Sequence, residues 1–289
     1  MTSSSSLTSS SSLTSSSIDH IGVYILEGND SSRSEAIRTL FNHPVFMTYV
    51  VKIDLPEDWL QRYPQLSREN AEELHQYRWC LDDAKRRMPT NYVLVIKDNS
   101  ITNVTSQNLA ELIVAACQHK TWQLCYLSKW LDRCDLYKDK ISLLGSTTFL
   151  AKTRSPHGCQ AILFSPEGRD IVLKEKKMKN GQDFNVTTSL SASLNQAIDR
   201  GYIDATCFIP NLISFDLTSI RQINDYYKCQ ECRRPDTSSN VKRTTVTQGV
   251  EKATVTQTNN ENGISIWLWI LFVFVLILLG LWFLYSRRR

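Results

Sequence analysis

Polar side chains follow the ends of two predicted strands, and such positions commonly bind ligands in α/β proteins. The apolar run NYVLVI ends in Lys97, Asp98 and Asn99, and the earlier run VYIL leads into the polar segment 27–33. In open parallel sheets, ligands bind outside the carboxyl ends of the strands. These residues are therefore the first candidates for a binding or catalytic site.

Cysteine offers a second kind of chemistry. Cys229 and Cys232 form a C-x-x-C pair near the end of the globular region. A structural zinc site needs four ligands, and the sequence has neither a second C-x-x-C nor an H-x-x-x-H pair. A metal site and a disulfide both stay open for this pair. The hydrolase, P-loop and zinc-protease motifs G-x-S-x-G, G-x-x-x-x-G-K-[ST] and H-E-x-x-H are absent.

Strands and helices alternate along the globular region, which predicts the scaffold that positions the polar residues. Ser34 and Ser106 are the predicted N-caps of two helices, and Pro166 lies in the first turn of another. Strand-helix alternation is typical of a mostly parallel sheet flanked by helices. The predicted strands are 18–27, 45–54, 91–99 and 122–128, with two shorter ones up to residue 165, and the main predicted helices are 34–43, 67–88, 106–119 and 189–202.

Four short stretches in this order share the pattern of one enzyme family. They are VYILEGNDSSRSEAI, which contains Arg33; LHQYRWC, which contains His75; GCQAILFSPEGRDIVL; and FIPNLISFD. Together with the order of elements, they make residues 18–216 resemble glycosyltransferase family 25. That family includes lipopolysaccharide and collagen galactosyltransferases, and versions occur in large DNA viruses.

The resemblance implies a nucleotide-diphospho-sugar transferase (GT-A) fold and a set of site residues. Asp98 and Asn99 would hold Mn²⁺ or Mg²⁺, and Arg33 and Lys97 would contact the diphosphate of a nucleotide-sugar donor. His75 is the candidate catalytic residue. An active enzyme of this kind would move a hexose from the nucleotide-sugar to a protein or lipid hydroxyl.

The chain departs from the family at the residues that matter most for metal binding. The family's central strand ends in Glu-Asp-Asp, whereas here Lys97, Asp98 and Asn99 follow it, and Leu74 replaces the family's Ser before His75. Hard divalent cations take oxygen ligands, mainly carboxylates. We therefore expect a degenerate, non-catalytic domain that acts as a binding or structural component. An active metal-dependent hexosyltransferase, and a tail-anchored adaptor of unrelated fold, stay as alternatives.

A hydrophobic segment near the end of the chain predicts a single membrane-spanning helix. Residues 264–285 contain no charged side chain over 22 residues, which is long enough to cross a bilayer core of about 30 Å. Aromatic side chains near both ends suit the membrane interfaces. The predicted span begins at Ile264 and carries Trp267, Trp269, Trp282 and Tyr285. The lipid bilayer is thus a predicted partner.

The two orientations of this helix are supported by different features. Three arginines after the helix favour a cytosolic C-terminus, which would place the main domain outside. The sequence shows no secretory signal, however, and this favours insertion as a tail anchor with the main domain in the cytosol. The viral versions of the family imply a host membrane or a virion envelope as the location.

Composition completes the predicted organisation. The net charge is +4, and the domain has no long Lys/Arg block, so a nucleic-acid partner is not expected. The serine-rich start is typical of a disordered tail, and the Thr/Asn/Ser-rich region before the helix is typical of a flexible stalk. The predicted parts are the tail 1–17, the domain 18–235, the stalk 236–263, the membrane helix 264–285 and a basic tail 286–289.

Overall fold

The computed structural model describes residues 20–215, apart from residues 103, 120, 130, 131 and 133–136. All of them belong to the first of two compact units, Met1–Thr237. The strands are β1 (Ile21–Leu26), β2 (Phe46–Val51), β3 (Tyr92–Lys97), β4 (Ser100–Ile101), β5 (Leu124–Ser128), β6 (Lys138–Ser142), β7 (Phe149–Lys152), β8 (Ala161–Phe164), β9 (Ala205–Ile209) and β10 (Ser214–Phe215). The helices are α1 (Ser31–Leu40), α2 (Trp59–Arg62), α3 (Arg68–Arg87), α4 (Ser106–Gln118), α5 (Pro166–Val172) and α6 (Leu190–Asp199).

Eight strands form one sheet in the order β2-β1-β3-β8-β5-β9-β7-β6. The pairs β2–β1, β1–β3 and β5–β9 are parallel, whereas β7 and β8 run antiparallel to their neighbours. Six of the eight strands therefore point the same way. β4 and β10 make a separate short antiparallel ladder. The predicted α/β class, with a mostly parallel sheet flanked by helices, is confirmed.

The sheet is covered on both faces, and the alternation within β1 shows how. Ile21, Val23 and Ile25 pack into a core that includes the buried side chains of α1 and α4. Tyr24 and Leu26 point to the opposite face, into a core that includes α3, α5 and α6. Successive side chains of a strand point to opposite faces, so a strand buried on both sides is apolar throughout.

Two predicted N-caps are wrong, one by four residues and the other by one residue. α1 begins at Ser31 and not after Ser34, because the Asp30 carboxylate accepts a hydrogen bond from the Ser32 backbone N–H, 3.0 Å away. Ser34 is buried inside the helix. α4 is capped by Thr105 and not by Ser106, since the Thr105 hydroxyl accepts from the Asn108 N–H at 3.3 Å. In both stretches, more than one residue suited to cap a helix lies within a few positions.

Other elements are as predicted or were missed. α5 begins at Pro166, with the Ser165 hydroxyl accepting from the Gly168 N–H. The short helix α2 and the strand β6 were not predicted, because their residues show neither a clear helical period nor an apolar run.

None of the helices among the described residues is long and apolar enough to cross a membrane. The predicted membrane helix 264–285, the stalk 236–263, the two tails and the pair Cys229 and Cys232 all lie outside those residues. Five described cysteines are buried, as expected for ordinary core thiols: Cys80, Cys117, Cys125, Cys159 and Cys207.

Candidate functional site

The strand order places a topological switch point at the carboxyl ends of β1 and β3, and this edge of the sheet is called the crevice below. From β1 the chain passes through α1 to β2 on one side, and from β3 it passes through α4 to β5 on the other side. The connections thus leave in opposite directions from the carboxyl ends of β1 and β3. In open α/β sheets, ligands bind at such a topological switch point. Gly28 and the triplet 97–99 lie at this edge.

Gly28 and Asp98 join the two strand ends. The Gly28 backbone N–H donates to Asp98 Oδ2 at 2.7 Å, and the Asp98 N–H donates to the Leu26 carbonyl at 3.2 Å. A Cβ atom on Gly28 would lie 2.9 Å from Asp98 Oδ2. A side chain at position 28 would therefore require the Asp98 carboxylate to shift from this position. One carboxylate oxygen of Asp98 is thus held by the protein itself.

Lys97 forms an ion pair with Glu73 of α3. Its Nζ lies 2.5 Å from Glu73 Oε1, and the exposed fractions of the two side chains are 32% and 19%. Burial acts to lower the pKa of Lys97, but the Glu73 carboxylate, with help from Asp98, outweighs it, so the pKa of Lys97 is raised. Lys97 is charged at neutral pH, and Glu73 neutralises it.

Asn99 is hydrogen-bonded to Gln160, the residue directly before β8. The side-chain amide of Gln160 donates to Asn99 Oδ1 and to the Ser100 hydroxyl, the latter at 3.0 Å. Gln160 and Ser100 are both buried. The oxygen of Asn99 is therefore engaged by a fixed internal donor.

Side chains of α3 and α6 hold the segment before β8 in place. The Tyr77 hydroxyl donates to the Cys159 carbonyl at 2.6 Å, and the Gly158 N–H donates to the Ser191 hydroxyl at 2.8 Å. The Lys97 N–H donates to the Gln160 carbonyl. Burial raises the pKa of the Cys159 thiol well above its usual range. Cys159 is therefore a neutral thiol and not a nucleophile at this edge.

This set of side chains does not match what Mg²⁺ or Mn²⁺ takes. Asp98 is the one carboxylate of the triplet, Lys97 is a cation, and the amide oxygen of Asn99 accepts from Gln160. Magnesium demands near-octahedral oxygen coordination that usually includes carboxylates. Within residues 20–215 as described, no group of three or more His, Cys, Asp or Glu side chains is placed to hold a metal ion.

His75 lies on the same helix as Glu73, but the structure pairs it with a different element. Two residues apart on a helix, the side chains point to nearly opposite sides. The Tyr63 hydroxyl lies 3.5 Å from His75 Nδ1, and the two rings meet edge to face. Burial, and then the charge of Arg62, lowers the pKa of His75. It is Glu73, and not His75, that α3 presents to the triplet.

Arg33 lies in the first turn of α1. Its guanidinium is 3.6 Å from the Asp30 carboxylate, and 41% of its side chain is exposed. The predicted donor-binding pair Arg33 and Lys97 thus consists of two cations that each have a carboxylate partner.

Sequence reasoning found the triplet but missed Glu73 and Gln160. Both are far from it along the chain, and nothing in their local patterns marks them. Gly28 carried a usable signal, since a glycine directly after a buried strand often allows a close backbone approach.

Comparisons with known proteins add little. No protein-family model matches the chain, and no curated protein matches it. Among solved structures, the chain is similar to "A197 from STIV" with 9% sequence identity and a TM-score of 0.34. That similarity covers 65% of this chain and 81% of that chain. A likeness of this size carries no argument about function.

Proposed function

We propose that the chain is a membrane-anchored protein whose domain has the glycosyltransferase (GT-A) fold without metal-dependent sugar transfer. The domain then serves as a binding or structural component at a membrane surface. Three features support this: the motifs shared with glycosyltransferase family 25, the crevice at the switch point between β1 and β3, and the side chains that fill the family's metal position.

The ion pair between Lys97 and Glu73 carries the proposal. At an effective dielectric of about 20, two unit charges about 4 Å apart interact by about 4 kcal/mol, so an ammonium group strongly disfavours a neighbouring divalent cation. Glu73 offsets this repulsion, but Lys97 Nζ, 2.5 Å away, compensates the negative charge of Glu73 in turn. Glu73 therefore adds little attraction for a metal ion. Among the side chains of Glu73, Lys97, Asp98 and Asn99, only that of Asp98 then carries a negative charge without a neighbouring cation of its own.

Lys97 also supports the second candidate function. Its side chain is one-third exposed at the crevice edge, so it could leave Glu73 and neutralise a donor diphosphate in place of a metal. An enzyme of that kind would transfer a hexose from a nucleotide-sugar without Mn²⁺ or Mg²⁺.

Calorimetry and a transfer assay on the full-length chain in neutral detergent test the proposal. UDP-glucose and UDP-galactose are titrated with Mn²⁺ and, separately, with a chelator, and release of UDP is followed in the same samples. We expect no heat that depends on Mn²⁺ and no release of UDP above the protein-free rate. Heat or UDP release that requires Mn²⁺ would refute the proposal. Release of UDP in the chelator that Lys97→Gln abolishes would establish the second candidate instead.

A further inference from the structure

A small basic cleft lies between α3, the residues after α2 and the end of α5. Its volume is about 80 Å³. A cavity needs about 10–15 Å³ of such volume to hold one water, so the cleft has room for several waters or for one tetrahedral oxyanion. Its polar lining comes from Arg62, Tyr63, Gln65, Arg78, Lys174 and Asn185.

Arg78 of α3 brings a positive charge that no carboxylate in the described part of the chain neutralises. Among the described residues, its guanidinium has no ion pair, and its buried Nε has no hydrogen-bond partner. Buried polar groups are nearly always hydrogen-bonded, and an exception calls for an explanation such as a bound ion. The guanidinium is also the side chain best suited to bind phosphate with two hydrogen bonds.

Lys174 brings a second cation to the same cleft. Its Nζ donates to the Asn185 side-chain oxygen at 2.8 Å. Burial lowers the pKa of Lys174 first, and the charge of Arg78 lowers it further, whereas Asp183 acts in the opposite direction. Asp183 is itself paired with Lys177 at 2.6 Å. Two like charges thus line the same cleft, and the nearby carboxylate of Asp183 is shared with Lys177.

The backbone of Lys174 also suggests that its side chain is needed. The residue has a φ of 65°, in the left-handed region that favours glycine. It follows the C-cap Leu173, and the Lys174 N–H donates to the Ile171 carbonyl while the Glu175 N–H donates to the Asp170 carbonyl. This is the Schellman arrangement, in which glycine is the usual residue at this position. A strained residue at such a position points to a functional constraint.

We propose that this cleft binds a phosphoryl-type oxyanion between Arg78 and Lys174. Arg62 lines the rim, and its charge is already paired with Asp58 at 2.8 Å. The anion would supply the missing acceptor for the Arg78 Nε–H and would relieve the repulsion between the two cations. The cleft admits a single phosphate group, either free or as the end of a phosphomonoester. This site does not depend on the function proposed for the crevice.

Phosphorus NMR titration of the full-length chain in neutral, phosphate-free detergent tests the site. The probes are inorganic phosphate and, in a second arm, glycerol phosphate. We expect saturable binding of inorganic phosphate, and a dissociation constant raised about tenfold or more in Arg78→Gln, as for the loss of a charge-assisted hydrogen bond. Displacement of inorganic phosphate by glycerol phosphate would show that the cleft takes esterified phosphate, and its failure would restrict the ligand to the free anion.

Two further variants separate binding from folding. Lys174→Gly relieves the left-handed backbone, so it should melt no lower than wild type by circular dichroism and yet lose phosphate affinity. Arg38→Gln removes an exposed positive charge on α1 and should bind as wild type does. No saturable binding to wild type, or equal weakening by Arg38→Gln and Arg78→Gln, would overturn the proposal. So would unchanged affinity in Lys174→Gly.

Discussion

At the scale of single residues, the side chains around Asp98 decide what the crevice can hold. Lys97 and Asn99 are adjacent to Asp98 and were found from the sequence because they follow a buried strand. Their partners could not be predicted. Glu73 lies 24 residues away from Lys97 and Gln160 lies 61 residues away from Asn99, and only the packing of α3 and β8 brings them together.

The ion pair of Lys97 should contribute to stability. Lys97→Gln leaves the part-buried Glu73 carboxylate without its partner, which should lower the free energy of unfolding by about 1–3 kcal/mol. Lys152→Gln, at an exposed pair with Asp204, should cost under about 0.5 kcal/mol. Urea unfolding of the full-length proteins measures both. Equal effects of the two substitutions would contradict a special role for the Lys97 pair.

The same pair should give alkaline instability. The folded-state pKa of Lys97 is raised above the ordinary value of 10.5. Its stabilisation is therefore complete below pH 10.5 and is lost as the pH rises through the folded-state pKa. The gap in stability between wild type and Lys97→Gln should close in that alkaline range, and a constant gap would argue against the ion pair as its cause.

His75 should titrate below its ordinary pKa of 6.5, because burial and the charge of Arg62 both disfavour the imidazolium. Arg62→Gln should move the pKa of His75 upward, and Asp58→Asn should move it further down, since Asp58 raises it. Proton NMR of the imidazole signal follows all three proteins. If neither substitution changed the pKa of His75, the charges of Arg62 and Asp58 would not act on this imidazole, and the described contacts would be contradicted.

At the scale of elements, the sequence predicts the central helices and strands well and their ends less well. α3, β3 and α5 begin within a residue or so of the expected positions, since each has a clear start: Ser67 as N-cap, an apolar run, and Pro166 after Ser165. Where two caps compete, as at Asp30 and Ser34, local patterns do not decide which one wins.

The close contact between Gly168 of α5 and Gln123, the residue directly before β5, should not tolerate an added side chain. A Cβ atom on Gly168 would lie 2.1 Å from the Gln123 backbone oxygen, and that oxygen already accepts from the Ser165 N–H. Backbone cannot move away as a flexible side chain can, so Gly168→Ala should cost about 3 kcal/mol or more. Glu167→Ala, at the exposed neighbouring position, should cost under about 0.5 kcal/mol. Thermal unfolding compares them, and a small loss in Gly168→Ala would contradict this packing.

At the scale of the whole molecule, the sequence predicts the α/β sheet because buried strands and amphipathic helices have distinct periods. The antiparallel direction of β7 and β8 could not be predicted from these periods. Their direction depends on pairing with β3, β5 and β9, which are distant in sequence.

The C-terminal segment gives a separate prediction about the membrane. We expect the full-length chain to sediment with membranes after alkaline washing, and a chain ending at residue 263 to stay in the supernatant. In sealed vesicles with the cytosolic side outward, added protease should digest the domain without detergent. A domain that is protected until detergent is added would place it on the other side of the membrane, and a truncated chain that still sediments would argue against residues 264–285 as the anchor.

Calorimetric titration of Mn²⁺ into the full-length chain tests the proposed loss of metal-dependent chemistry most directly. The double substitution Lys97→Glu, Asn99→Asp adds two carboxylates beside Asp98 and should bind Mn²⁺ at least about tenfold more tightly than wild type does. Wild type and Asp98→Asn should give the same weak response. Tight binding of Mn²⁺ by wild type that disappears in Asp98→Asn would contradict the proposal that Lys97, Glu73 and Gln160 have closed this site to metal.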